Sequence, residues 1–180
     1  MRHILALTII ATGLWSGAAL TAALPAADAL RAATMESKKI FGNMRENLHI
    51  PAANLGNSIG ELMAVHDDPV ELAGGATLIS GCRPHSCDEK AAAVIGPDGR
   101  QLQAVALRHF RCRSQLPERV PPVVQCDKMA TLLVYLIRAG GEPAGQADSA
   151  LLLDQLKQWG ARAGYAREDV RTLNLTSAAM

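Results

Sequence analysis

Aromatic side chains are scarce in this chain: two Trp, two Tyr and two Phe make up 3% of its 180 residues. Its core must therefore rest on Leu, Val, Ile, Met and Ala, which still pack to normal interior density. An excess of charge is lacking too. The chain has 18 Lys and Arg against 17 Asp and Glu, a balance that gives no support to nucleic acid or an anionic membrane as partner. No cysteine precedes Cys82, and no two cysteines stand in a C-x-x-C pair. That spacing argues against a thioredoxin-like redox pair and a structural zinc site. There is no internal repeat, and the only biased segment is an Ala-rich start.

Charge is also missing from one particular place. After Arg2 and His3 no charged side chain occurs until Asp28, and the stretch from Ile4 to Trp15 is the most apolar part. A short basic start, an apolar run and small residues behind it are the pattern of a secretory signal, with Ala27 and Ala29 fitting an A-x-A cleavage site. The run is long enough to serve instead as a membrane anchor, but its Gly, Ser, Thr and Ala content favours a cleaved signal over residues 1–29. About 150 residues would remain, enough for one domain. An exported domain with four cysteines, Cys82, Cys87, Cys112 and Cys126, is expected to carry two disulfides. Three pairings are open to the sequence, and neighbour pairing, Cys82 with Cys87 and Cys112 with Cys126, is the expectation. The chain-entropy relation gives roughly 2 kcal/mol for the small ring and about 3 kcal/mol for the longer loop. The small ring thus contributes more to local shape than to global stability.

Along the chain, Ile40, Met44 and Leu48 recur every four residues, predicting an amphipathic helix over 35–49 that Pro51 ends. Residues 50–72 read as loops with one short strand. "GGATLISGC" and "KAAAVI" read as strand on either side of the small ring, and "GPDG" at 96–99 as a turn into a further strand, "RQLQAVALRHFRC". "LPERVPPVV" is an extended excursion within the second cysteine loop. "DKMATLLVYLIRAGG" suits a helix or a buried strand, and the cap pair Asp127 and Gly140 tips the reading to helix. A linker and an amphipathic helix ended by Gly164 follow. The division expected is a domain over 30–138 and a linker with a helical extension over 139–180.

The chemistry concentrates in "CRPHSC", residues 82–87. A disulfide across this stretch forces Arg83, Pro84, His85 and Ser86 into a bulging loop, and Pro84 restricts both itself and Arg83. His85 then projects near the tip. A rigid exposed loop loses little entropy on binding, and a projecting imidazole serves as cation, donor or acceptor. The plainer reading is a staple on a β-bulge carrying an idle surface histidine.

At these residues the chain resembles the inhibitor of vertebrate lysozyme family, whose signature loop is C-[KR]-P-H-D-C. "KKIFGNMRENLHIPA" and "KAAAVIGPDGRQLQAVAL" extend the similarity over roughly residues 36–107, and nothing beyond Arg108 shares it. The resemblance implies an α+β fold, a single domain with an antiparallel sheet and packed helices, often homodimeric. It implies a periplasmic binding protein rather than an enzyme, needing no cofactor and no metal. The implied partner is c-type lysozyme, with His85 entering the active-site cleft to engage its catalytic carboxylates. Ser86 stands where the family has Asp. Lysozymes of this type are strongly basic, so a near-neutral inhibitor is expected to associate without strong electrostatic steering.

Two other classes compete. An envelope adaptor would present the C-terminal helix, Leu151 to Trp159, to another protein, whereas the simpler role for that helix is core packing. A metal-dependent hydrolase would use His49, His66, His85 and His109, which have no ligand spacing.

Overall fold

The computed structural model describes residues 25–115, 123–139 and 146–175. It opens with helix α1 (Ala26–Phe41), whose Ala29, Ala33, Ser37 and Phe41 form a buried stripe at four-residue spacing. The helix therefore lies earlier than the expected 35–49. Gly42 and Asn43 are poor helix formers, and the chain turns there. Met44 and Leu48 consequently pack from an irregular segment, with Leu48 fully buried. Strands β1 (Arg45–Glu46) and β2 (Ala53–Asn54) form a small antiparallel ribbon. Helix α2 (Leu55–Glu61), expected as loop, starts where the Asn54 side chain accepts a hydrogen bond from the Asn57 amide at 3.0 Å. That is a standard N-cap.

Then come β3 (Val65–His66), β4 (Val70–Glu71), β5 (Thr77–Arg83), β6 (Ser86–Ile95) and β7 (Leu102–His109). The "GPDG" turn joins β6 to β7 as expected, with Asp98 Oδ1 accepting from the Arg100 and Gln101 amides at 3.0 Å each. These amide bonds hold its carboxyl below the usual carboxylate range. Strands β8 (Cys112–Gln115) and β9 (Val123–Cys126) make a separate two-stranded ribbon. Strand β10 (Thr131–Ala139), helix α3 (Gln146–Ala161) and strand β11 (Arg167–Leu175) complete the order. The main sheet has seven strands, ordered β11-β10-β7-β6-β5-β3 with β4 also on β5. Every pair in it is antiparallel except β10 with β11.

Helices α1 and α2 cover one face, over Ile79, Ala93, Val105, Leu107 and Leu133. Helix α3 covers the other, setting Leu156 and Trp159 on Ala104, Ala106, Leu132 and Val134. Burying each such large side chain contributes roughly 1.5–3 kcal/mol. The architecture is α+β, as the sequence implied.

The helix expected around 131–139 is a correction: this segment is β10, enclosed between β7 and β11. Thr131 through Ile137 are all buried, and a strand covered on both faces reads as an unbroken apolar run. The segment expected as linker and helix also contains β11, aligned with β10 from Thr131↔Arg167 to Ala139↔Leu175. Of the expected signal, residues 1–24 lie outside the described residues. So do most of the Pro-rich excursion, 116–122, and the proposed cap Gly140.

A polar network ties the sheet's parallel edge to the first ribbon. Tyr135 donates to Glu46 Oε1 at 2.8 Å, and Arg171 donates to the Tyr135 hydroxyl at 2.9 Å and to Asp169 Oδ2 at 2.8 Å. Arg171 also pairs with Glu46 and lies over the Tyr135 ring. Burial, reinforced by Glu46, drives the Tyr135 hydroxyl well above the usual phenol range. The Arg171 guanidinium holds the Asp169 carboxyl below its ordinary value.

Candidate functional site: the disulfide-closed hairpin

Strands β5 and β6 pair regularly from Thr77↔Ile95 to Cys82↔Lys90, and then the register breaks. The next pair is Arg83↔Ser86, so Cys87, Asp88 and Glu89 bulge from β6 with no opposite number on β5. Pro84 and His85 are left as a two-residue turn. His85 has φ +64°, a left-handed conformation. Pro at the second turn position and a left-handed residue at the third is the pattern of a type II turn. Histidine is among the non-glycine residues that enter that region more readily, at a cost of roughly 1 kcal/mol. The outcome is an exposed His85 beside an exposed Pro84, with Arg83 and Ser86 half-buried.

The structure closes this turn with a disulfide between Cys82 and Cys87, and the second ribbon with one between Cys112 and Cys126. Cys82 is buried and Cys87 exposed, so the ring stands with one foot in the core. The core foot is braced from outside. Strand β3 crosses β5 so closely that a Cβ on Gly81 would lie 2.6 Å from the Val65 carbonyl oxygen. Only glycine allows that approach.

Two guanidinium groups grip the base of the ring. Arg83 Nη2 lies 2.5 Å from Glu89 Oε2, and the Glu89 side chain is 5% exposed. Arg108, from β7, donates to the Asp88 carbonyl and, at 2.6 Å, to the Gly164 carbonyl beyond α3. The sequence marks Glu89, with Asp88, as an acidic flank of the ring but not as a buried group, and it marks no role for Arg108. The available signals were a carboxylate two places after Cys87 and a lone arginine inside the apolar run of β7.

Beside the ring a cleft of about 540 Å³ runs between the β3–β4 connection and the end of α3, lined among others by Asp67, Asp68, Cys87, Asp88, Arg108 and Trp159. Asp67 Oδ2 accepts from the Ser80 hydroxyl at 2.8 Å on its floor.

The other described histidines do not join His85. His66 is exposed on β3, His49 lies 3.7 Å from Glu61, and His109 is buried on β7. Among the described residues no group of three or more His, Cys, Asp or Glu could hold a metal ion. No described helix is long and apolar enough to cross a membrane. Helix α3 spends Leu156 and Trp159 on the core.

The hairpin presents one imidazole at a rigid, exposed tip, a shape that loses little entropy on association. The model of the family described as inhibitor of vertebrate lysozyme (Ivy) matches residues 56–130, from α2 to the residue before β10. The family so described is one of lysozyme inhibitors, and the match covers less than half of the chain. The match corrects the extent of the resemblance: it continues through the Cys112–Cys126 ribbon, expected to lie beyond it, and omits residues 36–55, expected within it. No curated protein and no solved structure matches the chain.

Proposed function

We propose that this protein is a periplasmic inhibitor of c-type lysozyme that acts by inserting the Cys82–Cys87 ring into the enzyme's cleft. The observation carrying this reading is the exposed left-handed His85 at the tip of a two-residue, disulfide-closed turn. Lysozyme cleaves with a Glu acid and an Asp nucleophile or stabiliser flanking the scissile bond. An imidazolium between them donates charge-assisted hydrogen bonds to both and fills the space of the sugar. The inhibitor performs no chemistry; occlusion is enough. Pro84, Ser86 and Arg83 complete the loop, and Ser86 in place of the family's Asp accepts fewer hydrogen bonds.

The test is a turbidity assay of lysozyme-driven cell-wall lysis with the wild type and His85→Ala. Stoichiometric inhibition is expected, and His85→Ala should lose at least about 2 kcal/mol of affinity, roughly 30-fold, as a central anchor does. Undiminished inhibition by a folded His85→Ala would remove His85 from the mechanism. No inhibition by the wild type would reject the function.

A further inference from the structure

The signature loop offers four side chains between its cysteines, and a binding reading naturally assigns all of them to the partner. The structure divides them differently. The Arg83 guanidinium is turned back along the hairpin toward Glu89, a carboxylate buried to 3% exposure on the bulge that follows Cys87. A carboxylate so enclosed is unfavourable without a countercharge. Among the described residues Arg83 is its ion-pair partner. Glu89 sits inside the register break, where Cys87, Asp88 and Glu89 have no opposite strand. Ladder hydrogen bonds do not hold this segment, so side chains must. The ion pair fastens its far end to Arg83 on β5, and Arg108 fastens its middle through the Asp88 carbonyl.

We infer that Arg83 and Glu89 are positioning residues of the inhibitory loop: their ion pair is a second, non-covalent closure of the ring, parallel to the Cys82–Cys87 disulfide, and Arg83 does not serve as a contact with the bound enzyme. The disulfide limits how far the turn can open, and the ion pair fixes how the bulge is folded beneath it. Pro84, His85 and Ser86 are then the face offered to the partner. The inference rests on the inhibitor reading for its purpose, but its physical content, the fastening of the ring, is measurable without any enzyme.

The experiment follows reduction of Cys82–Cys87 by dithiothreitol, with Cys112–Cys126 in the same molecule as internal reference. Variants are Arg83→Met, which keeps the aliphatic stem at a half-exposed site, Glu89→Gln, and both together; Arg83→Lys restores the charge. Arg83→Met and Glu89→Gln should each speed reduction of the ring on the order of tenfold, the scale of a partly buried ion pair, while Cys112–Cys126 is unaffected. The double variant should add little beyond either single one, and Arg83→Lys should recover part of the protection. Against lysozyme, Arg83→Met should raise the dissociation rate by a similar factor and leave the association rate within about twofold. Unchanged ring reduction in Arg83→Met overturns the proposal, and does so decisively if lysozyme affinity nevertheless falls, since Arg83 would then touch the enzyme. Should Glu89→Gln fail to fold, Arg83→Met and Arg83→Lys decide alone. A wild type that ignores lysozyme sinks the inhibitor reading, while the reduction rates still judge the ion pair.

Discussion

The molecule has two disulfide-closed hairpins, and they solve different problems. The β5–β6 hairpin lies inside the seven-stranded sheet, with neighbours on both sides, and its disulfide spans only five positions. The β8–β9 ribbon stands apart from that sheet, its β9 residues are all exposed, and its disulfide spans 14 positions. The first hairpin is held by the fold and uses its disulfide to shape a tip. The second has little packing of its own and needs its disulfide to exist as a ribbon. The same bond thus shapes a tip in one place and holds a ribbon together in the other, and on the proposed inhibitor reading the shaped tip is the recognition element.

That contrast is open to attack in order of size. Replacing Cys112 and Cys126 by Ser should cost about 3 kcal/mol of stability, read as a fall in the guanidinium unfolding midpoint, with inhibition retained wherever the protein stays folded. Acid should strike the same end of the molecule. His109, three residues before Cys112, is 2% exposed, and burial, with Arg111 and His49 also opposing, lowers its pKa from 6.5 to about 4. The unfolded chain therefore takes up a proton that the folded one refuses between pH 6.5 and about 4. Stability should fall across that window by an amount on the order of 3 kcal/mol and level off below it. His109→Leu, which removes the buried imidazole, should flatten the dependence.

Opening the ring with Ser at Cys82 and Cys87 should cost no more than about 2 kcal/mol of stability yet weaken inhibition, the reverse of the first variant. If the two serine pairs gave the same ratio of stability loss to affinity loss, the contrast would collapse. Smallest in stability is His85→Gly, which relieves the left-handed backbone. It should stabilise the fold by at most about 1 kcal/mol while abolishing tight binding. An association rate flat from low to high salt would show that this near-neutral protein finds its target without steering.

The ring was legible because its information is local: Cys, Pro and His within six positions specify a turn whatever surrounds it. The "GPDG" hairpin and α3 were legible for the same reason. Strand β10 was not, since burial on both faces removes the alternation that marks a strand, and flanking Asp127 and Gly140 mimic helix caps. Helix α1 was displaced because its buried stripe consists of Ala29, Ala33 and Ser37, small residues that carry little hydrophobic signal. Strand β11 did leave a trace: Arg171, Leu173 and Leu175 are half-buried and alternate with exposed Thr172 and Asn174. An edge strand with charged residues at its start is nevertheless hard to tell from a loop. Glu89 was visible in the sequence as an acidic flank of the ring, but its burial was not, because nothing in a sequence marks a carboxylate that will be buried beneath a neighbouring guanidinium.

The parallel pairing of β10 with β11 bears on how the chain assembles. The ring closes between residues five positions apart, whereas Arg171 meets Glu46 across 125. Contacts of such different span form on different timescales. The Cys82–Cys87 tip can therefore be built and oxidised while the sheet is still missing its last strand. Until β11 docks, β10 presents an unpaired edge of Leu, Val, Tyr and Ile, the kind of surface through which chains adhere to one another. A chain clipped before Arg167 would keep the closed ring and leave the β10 edge open to other chains.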